Sequence, residues 1–216
     1  CGRARGMDRS APLHGHMCIG RMPTPNYLRP TNTPSMKFLK WFLIIVGSLL
    51  ILGFAGFKYM QYNTKKASPE ETVVYSQGGL DMEVFYNRPG KKGREIFGGL
   101  VPYDKVWRTG ANEATTFTTN KDLTIGGKVL PAGKYTLWTI PGPEQWTVIF
   151  NKKMYPWGVD WNTNASREAA EDAVRVEVPV EQLNTVIELF TIAFQPEPLA
   201  LNLSWDQVRV SVPLAQ

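Results

Sequence analysis

Arg108, Asn112 and Glu113 fall within six residues of one another in the stretch Trp-Arg-Thr-Gly-Ala-Asn-Glu-Ala-Thr, residues 107–115. A guanidinium offers a planar fork of donors to carboxylate or phosphate. A carboxamide both donates and accepts, and a carboxylate accepts or works as an acid or base. Arg88 and Arg94 precede this stretch in segments broken by proline and glycine: Arg88-Pro89, Lys92-Gly93-Arg94 and Phe97-Gly98-Gly99-Leu100-Val101-Pro102-Tyr103. Glycines there permit close backbone approach and positive φ. The functional reading is an anion- or polyol-binding mouth built from Arg88, Arg94, Arg108, Asn112 and Glu113, with Trp157 nearby. The structural reading of the same residues pairs Arg108 with Glu113 or another acid and has Asn112 cap a turn, holding a long, strand-poor connection against the sheet.

Much other chemistry is excluded by residue type. Both histidines, His14 and His16, and both cysteines, Cys1 and Cys18, lie in the first 18 residues. Everything downstream lacks a thiol, a disulfide, an imidazole base and a Cys/His metal set. The spacing of His14, His16 and Cys18 is a weak metal signal, and neither a metal nor a cofactor is expected. Glu95, Glu113 and Asp160 are unpaired in sequence as glycosidase carboxylates. Asp104 and Asp122 lack the dense Asp/Asn loop of a calcium site. No nucleotide-binding Gly-Lys-Ser/Thr or G-x-G-x-x-G pattern occurs.

The elements that must position the cluster follow from periodicity. Leu80, Met82, Val84 and Tyr86 alternate with acids, and Val174, Val176 and Val178 with Arg175 and Glu177. Leu199, Leu201, Leu203 and Trp205 show the same period of two, as do Val208, Val210 and Val212. Each reads as a half-buried strand. Residues 134–140 and 145–151 read as a hairpin closed by Pro141-Gly142-Pro143-Glu144, and Gly126-Gly127 as a tight turn between two short strands. Residues 185–194 are apolar on both faces and are placed centrally. Residues 164–173 read as about two turns of helix, capped by Asn164 or Ser166. Trp138, Trp146 and Trp205 take strand positions and are assigned to the core, whereas Trp157 and Trp161 flank Gly158 in a loop as stacking surfaces or core closure. Eight to ten strands with one short helix define an all-β fold, an antiparallel β-sandwich, with a barrel as the alternative.

The amino-terminal 60 residues are different. Eight basic residues there face one acid, Asp8, whereas beyond residue 60 acids slightly outnumber bases. The formal net charge of +5 therefore does not mark the downstream domain as a nucleic-acid binder. Residues 1–35 are rich in Arg, Pro and Gly without hydrophobic periodicity. They read either as a disordered, non-native stretch before a natural start at Met36, or as a basic cytoplasmic tail. Residues 41–57, WFLIIVGSLLILGFAGF, carry no charge and approach, with their neighbours, the roughly 20 apolar residues that cross a bilayer. Trp41 and Tyr59 sit at the ends of this run, where amphipathic rings favour the interface. A single transmembrane helix over 36–60, in the bilayer through residues 38–59, is the expectation. A cleaved signal peptide is the alternative, although no good small-residue cleavage site follows. A flexible linker over 61–71 then leads to the domain at 72–216.

Taken in order, Tyr86-Asn87-Arg88-Pro89, Lys92-Gly93-Arg94, residues 96–103, residues 105–115, Leu130-Pro131-Ala132-Gly133-Lys134-Tyr135-Thr136-Leu137, residues 146–151 and Trp157-Gly158 resemble the bacterial family called domain of unknown function 2911 (DUF2911). The resemblance runs from about Tyr75 to Leu214, with Asp104 standing where glycine is expected. It implies a secreted or envelope-attached domain and supplies no activity. The resulting expectation is a bacterial inner-membrane protein whose β-domain faces the periplasm. It would bind a glycan, an anionic small molecule or an envelope protein. An enzyme acting on envelope carbohydrate through Glu113, and a structural component without ligand, remain as alternatives.

Overall fold

The computed structural model describes residues 36–160 and 162–216. The expectations for 1–35, for His14, His16 and Cys18, and for Trp161 lie outside the described residues. Helix α1 runs Met36–Ala67. It is long and apolar enough to cross a membrane, with a mean hydropathy of 2.2 over its best window and no part of that window buried. At 1.5 Å per residue it measures about 48 Å, well beyond the ~30 Å of a hydrocarbon core. Residues 61–67, read from sequence as linker, thus continue the helix.

The strands are β1 (Glu70–Gln77), β2 (Leu80–Asn87), β3 (Thr116–Thr119), β4 (Leu123–Ile125), β5 (Lys128–Leu130), β6 (Gly133–Pro141), β7 (Gln145–Asn151), β8 (Asp172–Pro196) and β9 (Leu199–Pro213). Seven form one antiparallel sheet in the order β1-β2-β3-β6-β7-β8-β9, and β4-β5 is a separate hairpin. The all-β, antiparallel expectation holds. The large sheet curls into a half-barrel, so that its opposite ends face each other across one core. The β6-β7 hairpin pairs Thr136 with Asn151 and Pro141 with Trp146, as its sequence required. Gly126 and Gly127 both take positive φ, +56° and +76°, as a two-residue hairpin turn demands.

Aromatic side chains fill the fold. Trp138, Trp146 and Trp205 are almost completely buried, as their strand positions implied. Trp107 stacks on Trp205 at 5.8 Å and 15°, and meets Phe190 and Trp146 edge-on. Each such side chain contributes roughly 1.5–3 kcal/mol through burial, and the ring pairs add about 0.5–1.5 kcal/mol. Tyr86 closes the curl: its hydroxyl donates to Glu71 Oε2 (2.7 Å) and accepts from the Ile192 backbone N–H (3.0 Å). Burial pushes this phenol well above its usual pKa, so it stays a neutral donor.

Two expectations are corrected. Residues 164–173 form no two-turn helix; a single 3-10 turn covers Ala169–Glu171, and β8 begins at Asp172. The segment is engaged elsewhere, because the Asn164 N–H bonds Asp160 Oδ1, the Ser166 N–H bonds the Gly158 carbonyl, and the Glu168 N–H bonds the Tyr155 hydroxyl. Residues 185–194 are not central. The β8-β9 ladder is interrupted between Gln182 and Thr191, and Val186 and Leu189 are exposed. The interruption frees backbone groups that receive the loop after β2, with the Lys91 N–H on the Glu188 carbonyl (2.7 Å) and the Phe190 N–H on Pro89 (3.0 Å).

At the β7-β8 junction, Arg167 grips Asp172 through Nε (2.9 Å) and Nη2 (2.5 Å), and Asn151 Nδ2 adds a third donor at 2.9 Å. Burial acts to raise the Asp172 pKa, but the hydrogen bonds from Arg167 and Asn151 outweigh it, and the carboxyl falls below its usual range. A depressed folded pKa stabilises the fold fully above the unfolded value of about 3.9. That contribution is lost as pH falls through the lower, folded value. The unfolding temperature is therefore expected to fall below about pH 4, and Asp172→Asn should flatten that acid limb in a thermal melt series. An unchanged acid limb in the variant would contradict this account.

Candidate functional site

Beyond β3, the edge of β6 is taken over by the polar stretch itself. The Trp107 N–H bonds the Thr139 carbonyl (2.7 Å), the Thr139 N–H bonds Trp107 (3.1 Å), and the Leu137 N–H bonds Thr115 (2.8 Å). Between these anchors the chain bulges through Thr109, Gly110 and Asn112, all at positive φ. Gly110 sits at φ +145°, and a Cβ there would lie 2.9 Å from the Asn87 carbonyl oxygen. This bulge aims Arg108 and Asn112 into a cleft of about 650 Å³.

The cleft gathers segments far apart in sequence. Thr64 and Ala67 of α1, the loops around Arg94 and Pro102, and Trp205 of β9 all line it. Its charged lining, among the described residues, consists of Lys92, Arg94, Lys105 and Arg108, with no acid. Arg108 is distinctive: its Nε is buried without a hydrogen-bond partner, and no carboxylate among the described residues lies within ion-pair distance of it. Burial lowers its pKa. Gly158 packs directly on its stem, where a Cβ would come within 2.5 Å of Arg108 Cδ. The Gly158 N–H also bonds the Asn112 carbonyl (3.0 Å). The loop after β7 thus clamps both residues. Nearly all buried polar groups in folded proteins are satisfied, so a guanidinium held this way and left open has a cost that the fold does not recover by itself.

The expected site residues divide. Arg94, Arg108 and Asn112 line the cleft; Arg88, Glu113 and Trp157 do not. Arg94 is partly committed, since Nε and Nη2 bond the carbonyls of Lys91 and Gly90. Arg88 is a strut between sheet ends: Nε meets Glu71 Oε2 (2.8 Å) and the Phe190 carbonyl (3.2 Å), and Nη2 meets Thr191 Oγ1 (2.9 Å). Glu113 accepts from Asn87 Nδ2 (3.0 Å) and pairs with Lys65 Nζ at the end of α1 (3.2 Å). The expected Arg108–Glu113 pair does not form. Asn112 donates from Nδ2 to Asn87 Oδ1 (3.3 Å), so buried Asn87 links Asn112 to Glu113. Trp157 is 38% exposed and does not line the cleft, although its neighbour Gly158 packs on Arg108 and Val159 is part of the lining. Asp160 accepts from the N–H groups of Asn162 and Asn164 to shape its own loop, and Asp122 accepts from that of Ala132.

Sequence reading missed Lys92, Lys105, Trp107 and Trp205 as lining. Lys92 and Lys105 stood within the same polar motifs as Arg94 and Arg108, and the excess of four bases over two acids, Glu95 and Asp104, across 92–108 was the available signal. Asn87 carried no such signal, because alternation puts it on the face of Asp81 and Glu83, opposite Leu80, Met82, Val84 and Tyr86, and its burial comes from the bulge packed over it.

Among the described residues, one helix able to cross a membrane, followed by a curled antiparallel sheet with a cation-lined cleft, defines the class of protein. The chain belongs to the family described as Protein of unknown function (DUF2911), whose model matches residues 68–214. No curated protein and no solved structure matches it.

Proposed function

We propose that this protein is a membrane-tethered binding module for an anionic ligand, with its β-domain on the periplasmic side of a bacterial inner membrane. The single observation that carries the reading is Arg108, buried at Nε, unpaired among the described residues, and joined in one cleft by Lys92, Arg94 and Lys105 with no acid among the described lining. A volume of about 650 Å³ suits a small organic molecule. An enzyme working through Glu113 has less support, because that carboxylate is held by Asn87 and Lys65 outside the cleft.

The test is thermal unfolding of the full chain in detergent against a panel of anions, neutral glycans and divalent metals. Anions are expected to raise the unfolding temperature by mass action, about 2.7 kcal/mol at a hundredfold excess over Kd. A panel in which neutral glycans alone stabilise the protein, or nothing does, would refute the reading.

The placement rests on charge. With residues 1–35 as a native cytoplasmic tail, Arg21, Arg29, Lys37 and Lys40 lie within about 20 residues before the apolar run, against Lys58, Lys65 and Lys66 after it, which favours the amino terminus in the cytoplasm; with a start at Met36 that excess is gone. Protease added to spheroplasts is expected to digest the β-domain; a fully protected domain would reverse the orientation, and recovery of the domain free of the membrane would replace the anchor with a cleaved signal.

A further inference from the structure

We infer that the ligand of this cleft is a phosphate monoester carried on an organic body, with the phosphate at Arg108 and the body against the apolar wall. The inference rests on the anion-binding reading above and narrows it. Charge decides the first half. Four cationic side chains without an acid are poorly neutralised by one carboxylate, which brings a single charge and two oxygens. A phosphate monoester brings about −1.5 to −2 charges and three acceptor oxygens at neutral pH, enough for a guanidinium fork and the ammonium groups of Lys92 and Lys105 together. The desolvated setting of Arg108, clamped by Gly158, makes each such bond stronger than in water.

Size and lining decide the second half. A phosphate group fills only a small part of about 650 Å³. The remaining wall includes Leu100, Pro102, Val106 and the indole of Trp107, which is half-buried against Trp205. That surface fits a ring or a short aliphatic body. Because Thr64 and Ala67 of α1 also line the cleft, the phosphate could belong either to a lipid headgroup or to a soluble ester.

The experiment titrates the full chain in detergent with phenyl phosphate, inorganic phosphate, benzoate and succinate, reading intrinsic tryptophan fluorescence during thermal unfolding. Phenyl phosphate is expected to bind at least tenfold more tightly than inorganic phosphate, and both more tightly than either carboxylate. Arg108→Met should abolish the response, and the double variant Lys92→Gln/Lys105→Gln, at two exposed loop positions, should weaken it at least tenfold without loss of the folded state. Succinate binding as tightly as phenyl phosphate overturns the phosphate class but leaves an anion site standing. A phosphate response unchanged in both variants overturns the location. No response to any anion overturns both this inference and the reading beneath it. Repeating the titration in lipid nanodiscs with and without phosphatidic acid separates the sources: competition by the lipid assigns a headgroup, and its absence assigns a soluble ester.

Discussion

Arg108→Met is expected to raise the unfolding temperature of the ligand-free protein while removing its response to anions. Most substitutions at a well-packed position destabilise, so the sign is the informative part. Methionine retains the methylene stem on which Gly158 packs and deletes the group whose Nε is buried and unpaired. Relief of that desolvated charge is worth about 1 kcal/mol, or roughly 3 °C for a domain of this size. On the ligand side, losing one partner of a buried, charge-assisted contact costs about 2–5 kcal/mol, a weakening of roughly thirtyfold to several thousandfold. Stability gained and binding lost together are the signature of a residue kept for function at the expense of the fold. The measurement is a pair of melts, with and without saturating anion, on parent and variant. A variant that melts earlier than the parent and still responds to anions would show that Arg108 is a strut.

Gly110→Ala should have the opposite effect and a larger one on stability. Its φ of +145° disfavours any side chain, and the new Cβ would meet the Asn87 carbonyl oxygen at 2.9 Å and Thr115 Oγ1 at 3.3 Å. The first obstacle is backbone and cannot rotate away. Backbone strain of about 1–3 kcal/mol and a similar cost for overpacking give roughly 2–6 kcal/mol combined. The unfolding temperature should drop by roughly 6–18 °C. Because Asn87 holds both Asn112 and Glu113, the anion response should weaken along with stability. An alanine variant that melts with the parent would mean that the bulge accommodates a side chain and that the close approach to Asn87 is dispensable.

Legibility in the sequence tracked the range of the interactions. Period-two alternation placed β2, β9 and the start of β8, and a glycine pair placed the β4-β5 turn, because neighbouring residues settle those features. The central placement of residues 185–194 failed for the converse reason. Val186 and Leu189 sit where the β8-β9 ladder breaks to receive the loop after β2, and that long-range pairing leaves no local mark. The helix expected over 164–173 failed because Asp160 and Tyr155 capture its backbone donors. At the site, Arg94, Arg108 and Asn112 were recoverable as polar residues in a glycine-bearing stretch. Whether a carboxylate four or five residues away would pair with Arg108 was not, since Asn87 and Lys65, which hold Glu113 instead, come from elsewhere in the chain.

The continuation of α1 to Ala67 bears on how the domain can be handled in isolation. A water-soluble version cut at residue 68 would match the family boundary but amputate one wall of the cleft, at Thr64 and Ala67, and strip Glu113 of its Lys65 counter-ion. Starting near Gln61, which accepts a hydrogen bond from Thr64 Oγ1, would keep the last helical turns and spare a screen from reporting on a damaged receptor.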